Sequence, residues 1–325
     1  AHDGSRARAG VGALQVRRHA PLDHAWSRAS HADARRVRAR AGSRRSEGSV
    51  RSGAGGRTLK TIAVLGGGNL GRALAQGWAA AGLVPAERIH VTRRQTEKLA
   101  DLTEAGFAVG ADNTAAVAES DVVVLAVQPQ QLDALLEEIA PQLDGTRHRV
   151  VSVVSGASIA GLQDAVGAGV PVVRAMPNTA VSIGESMTCL SAEEGAEAAL
   201  AEAVELFDAV GKTLVIREEM MVPATALCAC GVAFFLRCIR AASQGGIEIG
   251  FHPEEALLLA GQTARGAAAL SLKEDTHPED EIDRVTTPRG CTIVGLNEME
   301  HQGLSSALIK GLIVSANAAE GLYQD

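Results

Sequence analysis

A glycine-rich turn between an apolar run and a helical run constrains the fold of this chain more than any other feature of its sequence. The run TIAVL, Thr61 to Leu65, is followed directly by Gly66-x-Gly68-x-x-Gly71 and a helical pattern. In that context the first glycine permits a tight turn, the second lets a pyrophosphate approach the backbone, and the third lets helix and strand pack closely. The alternative is that the glycines only close a turn. The predicted dinucleotide contacts in this turn are Gly66, Gly68, Asn69 and Leu70.

Short apolar runs alternate with helical patterns as far as Glu218, which predicts a parallel, doubly wound α/β sheet of the Rossmann type. A capping box from Ser191 to Glu194 predicts the start of a helix that closes at Gly211. Beyond Glu218, Ala, Leu and Gly at helical spacing predict an all-α domain, so the expected domains are 58–218 and 219–325. The predicted strands after the first are Arg88–Thr92, Asp121–Val127, Arg149–Val154, Pro171–Arg174 and Thr213–Ile216.

Charge is distributed unevenly along the chain. The first 57 residues hold 13 of the 31 basic and four of the 38 acidic residues, which leaves a net charge of −16 on positions 58–325. This acidity, with only 2% aromatic residues, argues against nucleic-acid binding, because phosphates need cations and bases need aromatic platforms. The Arg-rich segment 1–57 has no apolar period and is expected to be disordered. A wrongly assigned start, an organelle-targeting segment and a functional basic arm are its alternatives.

The cysteines and the longest uncharged run bear on compartment and assembly. Five cysteines, an odd number without paired metal-ligand spacing, favour a reducing cytoplasm and predict no metal site. The uncharged run Met220 to Leu236 has 17 residues and contains Pro223 and Gly231. It falls short of the ~20 residues of a membrane span, so we expect a buried helix and no membrane. Covering so apolar a run needs more than one small domain, which predicts a homodimer.

The end of the second predicted strand indicates which dinucleotide binds. NAD enzymes place Asp or Glu about 20 residues beyond the glycine turn, whereas here the strand ends Thr92-Arg93-Arg94 and the next carboxylate is Glu97. A hydroxyl and two guanidinium groups suit a 2′-phosphate, which predicts NADPH, with NADH as the other option. The alternative for the arginines is a solvated surface turn. Further cofactor contacts are predicted at the ends of later segments, at Asn113, Val127, Gln128 and Pro129.

Three further motifs carry a resemblance to a known family. RAMPNT at Arg174–Thr179, TALCACG at Thr225–Gly231 and VTTPRGCT at Val285–Thr292 resemble pyrroline-5-carboxylate reductases in content and order, and the resemblance covers residues 59–322. It implies reduction of L-1-pyrroline-5-carboxylate to L-proline with NAD(P)H. It also implies a Rossmann domain followed by a helical dimerisation domain, and homodimers that often form decamers. The cofactor contacts that it adds are Met176, Pro177 and Asn178.

The resemblance places substrate binding in the third motif. Reducing a cyclic imine requires an anchor for the substrate carboxylate and a hydrogen bond or proton for the ring nitrogen. The amides of Gly290, Cys291 and Thr292 precede an apolar helical run and are predicted to bind the carboxylate. The Thr292 hydroxyl is the predicted catalytic group, with an ordinary N-terminal helix position as its alternative. The other predicted substrate contacts are Asp275, Val285, Thr286 and Thr287.

Several positions depart from the commoner family pattern. Arg289 stands in place of the first of two glycines, Gln128-Pro129 in place of Lys-Pro, and Gly231-Val-Ala-Phe234 in place of Gly-Pro-Ala-Tyr. None of these changes removes a group that the chemistry requires. Arg289 keeps open a non-catalytic NADPH-binding sensor or scaffold, and another two-domain imine or β-hydroxyacid reductase is the second alternative.

Overall fold

Eight strands form one sheet in the computed structural model, which describes residues 60–167, 169–273 and 276–320. The predicted disordered segment 1–57 lies outside the described residues. Along the chain the strands are β1 (Ile62–Leu65), β2 (Ile89–Thr92), β3 (Ala108–Gly110), β4 (Val122–Leu125), β5 (Arg149–Ser152), β6 (Val172–Met176), β7 (Ser186–Ala192) and β8 (Gly211–Val215).

The order of the strands reverses at β1, which is the arrangement of a Rossmann sheet. Their order is β3-β2-β1-β4-β5-β6-β7-β8, and every neighbouring pair is parallel except β6 and β7. The chain therefore builds β2 and β3 on one side of β1 and then crosses to β4 on the other. Such a reversal opens a crevice beyond the carboxyl ends of β1 and β4. The predicted fold class is confirmed for the sheet.

Two strands escaped prediction, and one of them overturns a predicted helix start. β3 is short, and β7 pairs antiparallel with β6, so the sheet is mixed at its far edge. Ser191 lies in β7 opposite Arg174 and caps no helix. The helix begins at Glu197 behind Ala196, without a side-chain cap. Gly211 opens β8 instead of closing the helix, which ends at Asp208. A Cβ at position 211 would lie 2.0 Å from the carbonyl oxygen of Ser186, so the pairing of β8 with β7 requires glycine there. Strand pairing outweighs the local capping signal.

The central strands β1 and β4 are buried on both faces of the sheet, as expected for continuous apolar runs, whereas the edge strands β3 and β8 are partly exposed. Alternate residues of β1 point to opposite sides, with Ile62 and Val64 in one core and Ala63 and Leu65 in the other. Trp78 anchors the first core: its ring meets Phe207 edge to face at 6.0 Å. Its indole nitrogen donates to the carbonyl of Leu206 at 2.8 Å.

Helices cover the sheet and make up every described element after residue 218. Short 3₁₀ turns lie at Ala86–Arg88, Thr96–Leu99, Pro129–Gln131, Ala140–Gln142, Thr179–Ile183 and Glu218–Met220, and Thr225–Cys230 is π-helical. The helices on the sheet are α1 (Asn69–Ala80), α2 (Ala100–Glu104), α3 (Asn113–Ala118), α4 (Leu132–Ile139), α5 (Ile159–Val166) and α6 (Glu197–Asp208). Those that follow are α7 (Met221–Ala224), α8 (Gly231–Glu248), α9 (Pro253–Ser271), α10 (Pro278–Val285), α11 (Cys291–His301) and α12 (Leu304–Glu320).

The long apolar helix is mostly exposed, which corrects the expectation that it is buried. Among the described residues, one helical stretch, Glu218–Glu248, has the length and composition to cross a bilayer. Of its 18 most apolar consecutive residues, 22% are buried. The helix is longer than the uncharged run Met220 to Leu236 because it continues through Arg237 and Arg240. Phe235 and Leu236 are each more than half exposed. The helical part thus presents a large apolar surface that the other described residues do not cover.

Candidate functional site

The glycine turn is fixed by close backbone approaches at the carboxyl end of β1. Gly66 has a φ of +114°, and a Cβ there would lie 2.4 Å from the carbonyl oxygen of Ala126, which follows β4. A Cβ on Gly71 would lie 2.2 Å from the carbonyl oxygen of Gly66. The amides of Gly66 and Gly67 both donate to the carbonyl of Thr92, at 3.2 and 2.7 Å. Only glycine satisfies both approaches, so the turn is a packing requirement as well as a binding motif.

The same turn leaves room for a phosphate. A Cβ on Gly68 would meet no atom within 4 Å, so this glycine faces open space and not protein. Gly68 is also the N-cap of α1 and offers no side chain to the first amides of the helix. Those amides have no intrahelical partner and carry the positive end of the helix dipole. The residues present therefore fit the pyrophosphate of a dinucleotide.

A cleft of about 950 Å³ opens beside this turn; we call it the phosphate cleft. It brings together eight of the predicted cofactor residues from four separate segments, whereas Asn69, Leu70 and Pro129 flank its lining. Sequence reasoning missed four polar residues of the lining, Gln95, Gln130, Gln131 and Glu138, which belong to no motif. The predicted residues that line the cleft are Gly66, Gly68, Thr92, Arg93, Arg94, Asn113, Val127 and Gln128.

The two arginines of the phosphate cleft differ in what they contact. Arg93 Nη1 donates to the carbonyl of Gly67 at 2.8 Å, and the backbone amide of Arg93 donates to the carbonyl of Gly110 at 2.9 Å. Arg93 thus supports the glycine turn. Arg94 is exposed, and within the described part of the chain its side chain makes no hydrogen bond or ion pair. Its guanidinium is therefore the one available to a phosphate group.

A chain of three side chains crosses the floor of the phosphate cleft. The buried Thr92 hydroxyl donates to Asn113 Oδ1 at 2.7 Å, and Asn113 Nδ2 donates to Glu138 Oε2 at 3.0 Å. Asp112 caps α3 by accepting from the Ala115 amide at 2.9 Å, and this hydrogen bond holds the pKa of Asp112 below its ordinary value. The cap and the chain together fix the amide of Asn113. The hydroxyl of Thr92 already donates its proton to Asn113, so Thr92 positions Asn113 and has no free donor for a cofactor.

Met176, Pro177 and Asn178 lie elsewhere. All three are buried at the end of β6, and none lines the phosphate cleft. Asn178 caps the following 3₁₀ turn, with Oδ1 accepting from the Ala180 amide at 3.0 Å, and its Nδ2 donates to the carbonyl of Cys228 at 3.3 Å. These residues tie the sheet to the π-helical segment. Their contact with a cofactor stays a prediction.

The predicted substrate loop contains a turn whose geometry explains the family's usual glycine. The amide of Gly290 donates to the carbonyl of Thr287 at 2.9 Å, and Arg289 has a φ of +63°. A four-residue turn with proline second and a positive φ at its third residue is of type II, which normally takes glycine there. Arg289 is the one described non-glycine residue with positive φ. Its side chain is exposed, so the substitution is accommodated at a cost in backbone energy.

The turn changes which amides are free at the start of α11. Gly290 is its N-cap and has no side-chain cap, but its amide is already bound to Thr287. The amides available to a carboxylate are therefore those of Cys291 and Thr292, not the predicted three. Thr286 uses its hydroxyl to donate to the carbonyl of Asp283 at 3.1 Å, which closes α10. Val285 and Thr287 are exposed. Asp275 lies outside the described residues.

The substrate loop and the phosphate cleft are separate within one chain. The loop, residues 285–292, contributes no residue to the lining of the phosphate cleft. It also contributes none to a second, apolar cleft between β7, β8 and the first helices beyond residue 218. Thr292 is half-buried, with no hydrogen bond from its hydroxyl among the described residues. Within the described residues, the predicted substrate loop and the predicted cofactor cleft therefore do not meet.

Comparison with known proteins matches both parts of the chain. Residues 218–322 match the family described as pyrroline-5-carboxylate reductase dimerisation, and residues 61–156 match the family described as NADP oxidoreductase, coenzyme F420-dependent. The chain is 48% identical to pyrroline-5-carboxylate reductase 2 of Dictyostelium discoideum, covering 79% of this chain and 91% of that protein. It is 47% identical to pyrroline-5-carboxylate reductase 1 of the same organism, over 81% of this chain but only half the length of that relative.

Solved structures give the same result. The pyrroline-5-carboxylate reductase of Coxiella burnetii is 31% identical, with a TM-score of 0.74, over 81% of this chain and 98% of that one. A Plasmodium falciparum pyrroline carboxylate reductase with NADP bound has a TM-score of 0.75 at 23% identity over 82% of this chain and all of that one, which supports the fold. The resemblance that the sequence motifs indicated is thereby confirmed. The chain belongs to the pyrroline-5-carboxylate reductase family, a family of NAD(P)H-dependent oxidoreductases.

Proposed function

We propose that this chain reduces L-1-pyrroline-5-carboxylate to L-proline with NADPH. The observation that carries the proposal is the pairing, in one member of this family, of an open phosphate cleft with an uncapped helix start behind the Thr287–Gly290 turn. The first suits a dinucleotide and the second a carboxylate. Membership of the family supports the substrate, since the relatives named above are pyrroline-5-carboxylate reductases.

The phosphate cleft supplies the cofactor site. NADPH, when bound, donates the hydride that the reduction consumes. The amides at the start of α1 bind the pyrophosphate, and the open face of Gly68 admits it. Arg94 binds the 2′-phosphate through its unengaged guanidinium, while Arg93 keeps the turn in shape through Gly67. This division of roles explains the preference for NADPH over NADH.

The start of α11 supplies the substrate site. The amides of Cys291 and Thr292 bind the substrate carboxylate at the positive end of the helix. The Thr292 hydroxyl donates a hydrogen bond to the ring nitrogen, where electron density accumulates as the carbon is reduced. That interaction strengthens toward the transition state, which is what makes it catalytic. Neither role requires the Arg289 side chain.

The site is completed between two subunits. Within one chain the loop 285–292 lines neither cleft, and α8 leaves Phe235 and Leu236 uncovered. A second copy that packs its helices on this surface buries the apolar side chains and brings its own loop to the phosphate cleft of the first. Because α8 also carries Arg237 and Arg240, a protein partner covers it better than lipid does. Assembly of such dimers into a decamer rests on the family resemblance alone.

The cytoplasm is the compartment that fits this protein. The five cysteines are free thiols, as expected where thiols are kept reduced. An NADPH-dependent biosynthetic reduction also requires a supply of reduced cofactor. Immunofluorescence of the full chain tests this placement, and signal confined to an organelle would contradict it.

The direct test of the activity is NADPH oxidation on addition of pyrroline-5-carboxylate, followed by identification of proline. We expect a loss of absorbance that depends on both compounds, and formation of proline in an amount equal to the NADPH oxidised. Binding of NADPH without turnover would favour the sensor, and turnover of another imine or of a β-hydroxyacid alone would favour the second alternative.

A further inference from the structure

Two cysteines meet where the sheet joins the helical part of the chain. Cys189 lies in β7 and is buried, and Cys228 lies in the π-helical segment, half-buried. Their sulfur atoms are 3.8 Å apart. A disulfide has a sulfur–sulfur distance of about 2.05 Å, so a shift of under ~2 Å separates contact from bond. The two residues are 39 positions apart in sequence, so their spacing does not predict the contact.

The two thiols differ in burial and in acidity. Both line the apolar cleft, which has a volume of about 470 Å³, but Cys189 is buried and Cys228 is only half-buried. The hydrogen bond between the two sulfur atoms lowers the pKa of Cys228 to about 7. The same interaction, with burial, raises the pKa of Cys189. Cys228 is thus the thiolate-forming partner and Cys189 the buried one that follows it.

We propose that Cys189 and Cys228 form a reversible disulfide when the protein meets a peroxide, a modification that uses no step of the reductase chemistry. The Cys228 thiolate attacks one peroxide oxygen, which gives a sulfenic acid and releases water after protonation. The Cys189 thiol then attacks that sulfur, the sulfur–oxygen bond breaks, and a second water leaves. Two thiols lose two electrons and two protons, and one peroxide becomes two waters.

The bond would add a covalent tie between two parts of the chain that already meet through an ion pair and a small apolar cluster. Cys228 presents its carbonyl to Asn178 at 3.3 Å, and the segment around it is π-helical, a geometry less stable than the α-helix. A disulfide from Cys228 to Cys189 in β7 would add a covalent bond across the apolar cleft. It closes a loop of 39 residues and so restricts the unfolded chain. Oxidation should therefore raise the thermal midpoint by several degrees.

Peptide mapping of the full chain tests the proposal without substrate or cofactor, so its failure is distinct from failure of the proposed function. Reduced protein is treated with hydrogen peroxide, alkylated and digested without reductant. The expected product is a linked pair of peptides containing Cys189 and Cys228, lost on treatment with dithiothreitol. The more exposed Cys238 and Cys291 serve as internal comparisons, because exposure alone would favour their oxidation.

Matched variants sharpen the test. Cys228→Ser should abolish the linked peptides and the rise in thermal midpoint. Cys230→Ser, in the same π-helical segment but without a sulfur contact, should retain both. Wild-type protein whose two thiols are both recovered alkylated after peroxide would overturn the proposal. A link from Cys228 to any other cysteine, or between chains, would overturn it as well.

Discussion

Arg174 Nη1 donates to Glu218 Oε1 at 2.8 Å, and this ion pair joins the sheet to the start of the helical part. Arg174 lies in β6 and is 7% exposed, while Glu218 stands where the last strand gives way to helices. The same carboxylate oxygen accepts from the amide of Ile159, at the start of α5, at 2.6 Å. One carboxylate therefore satisfies a buried guanidinium and a helix N-terminus together. Removing it leaves a buried charge without a partner.

Glu218→Ala should lower the free energy of unfolding by about 2 kcal/mol, a value moderated by the partial exposure of the carboxylate. Urea denaturation of the pure protein measures it. The matched control is Glu219→Ala, because Glu219 pairs with Arg217 at 2.7 Å on the surface and both side chains are mostly exposed. That change should cost less than about 1 kcal/mol. Equal losses in the two variants would show that the buried pair does not stabilise the junction.

Arg289→Gly should stabilise the protein by about 1 kcal/mol, because the third position of the Thr287–Gly290 turn holds a positive φ that glycine adopts without strain. Turnover should change by no more than a few-fold, since backbone amides and not this side chain hold the carboxylate. Gly290→Ala is the opposing control: its Cβ would lie 2.4 Å from Thr287 Oγ1, so it should destabilise. Loss of turnover in Arg289→Gly would show that the Arg289 guanidinium takes part in substrate binding or catalysis, which contradicts the roles assigned in this loop.

Arg94→Ala should raise the Michaelis constant for NADPH about 10-fold and leave that for NADH nearly unchanged, because its guanidinium meets only the 2′-phosphate. Steady-state kinetics with both cofactors measure the difference. Arg93→Ala is the matched variant, and it should weaken both cofactors, since it removes the 2.8 Å hydrogen bond to Gly67. If Arg94→Ala affected both cofactors equally, discrimination would have to come from another group.

Thr292→Ala should reduce the turnover rate roughly 10-fold to 100-fold, the scale of one hydrogen bond to a group that gains charge in the transition state. Cofactor affinity should hardly change, because the residue lies outside the phosphate cleft. Thr292→Ser retains the hydroxyl and should keep much of the activity. A Thr292→Ala enzyme with unaltered turnover, or a serine variant as slow as the alanine one, would leave Thr292 as an ordinary helix residue.

Local patterns in the sequence were enough to predict six of the eight strands and the glycine turn. The central strands β1 and β4 are continuous apolar runs, and Gly66 and Gly71 are required by close backbone contacts at the carboxyl ends of these two strands. β7 was missed because Ser and Thr interrupt its apolar residues, and because the residues of β6 that it pairs with lie 13 or more positions earlier in the chain. Ser191 shows the consequence: its capping pattern is genuine, but the ladder to Arg174 decides its conformation.

The candidate site was predictable where residues share a motif and hidden where only the fold unites them. Arg93 and Arg94 are adjacent in sequence and looked equivalent, yet one supports Gly67 and the other faces solvent. Glu138 enters the phosphate cleft from α4 and belongs to no pattern. The amide of Gly290 looked free because its hydrogen bond to Thr287 arises only once the turn forms. The sequence alone indicates the chemistry of these residues but not which of them lie together in the folded chain.

Subunit complementation tests the central claim, that the substrate loop of one subunit serves the phosphate cleft of its partner. Gly68→Asp should block the cleft, since the open face of Gly68 would then hold a carboxylate, and Thr292→Ala disables the loop. The two variants are co-expressed with different tags, and dimers carrying both tags are isolated. If the site is shared, each such dimer has one intact cleft facing one intact loop, and it should recover about half of wild-type activity per dimer. Mixed dimers no more active than the Thr292→Ala parent would contradict the account, because cleft and loop would then have to work within a single chain.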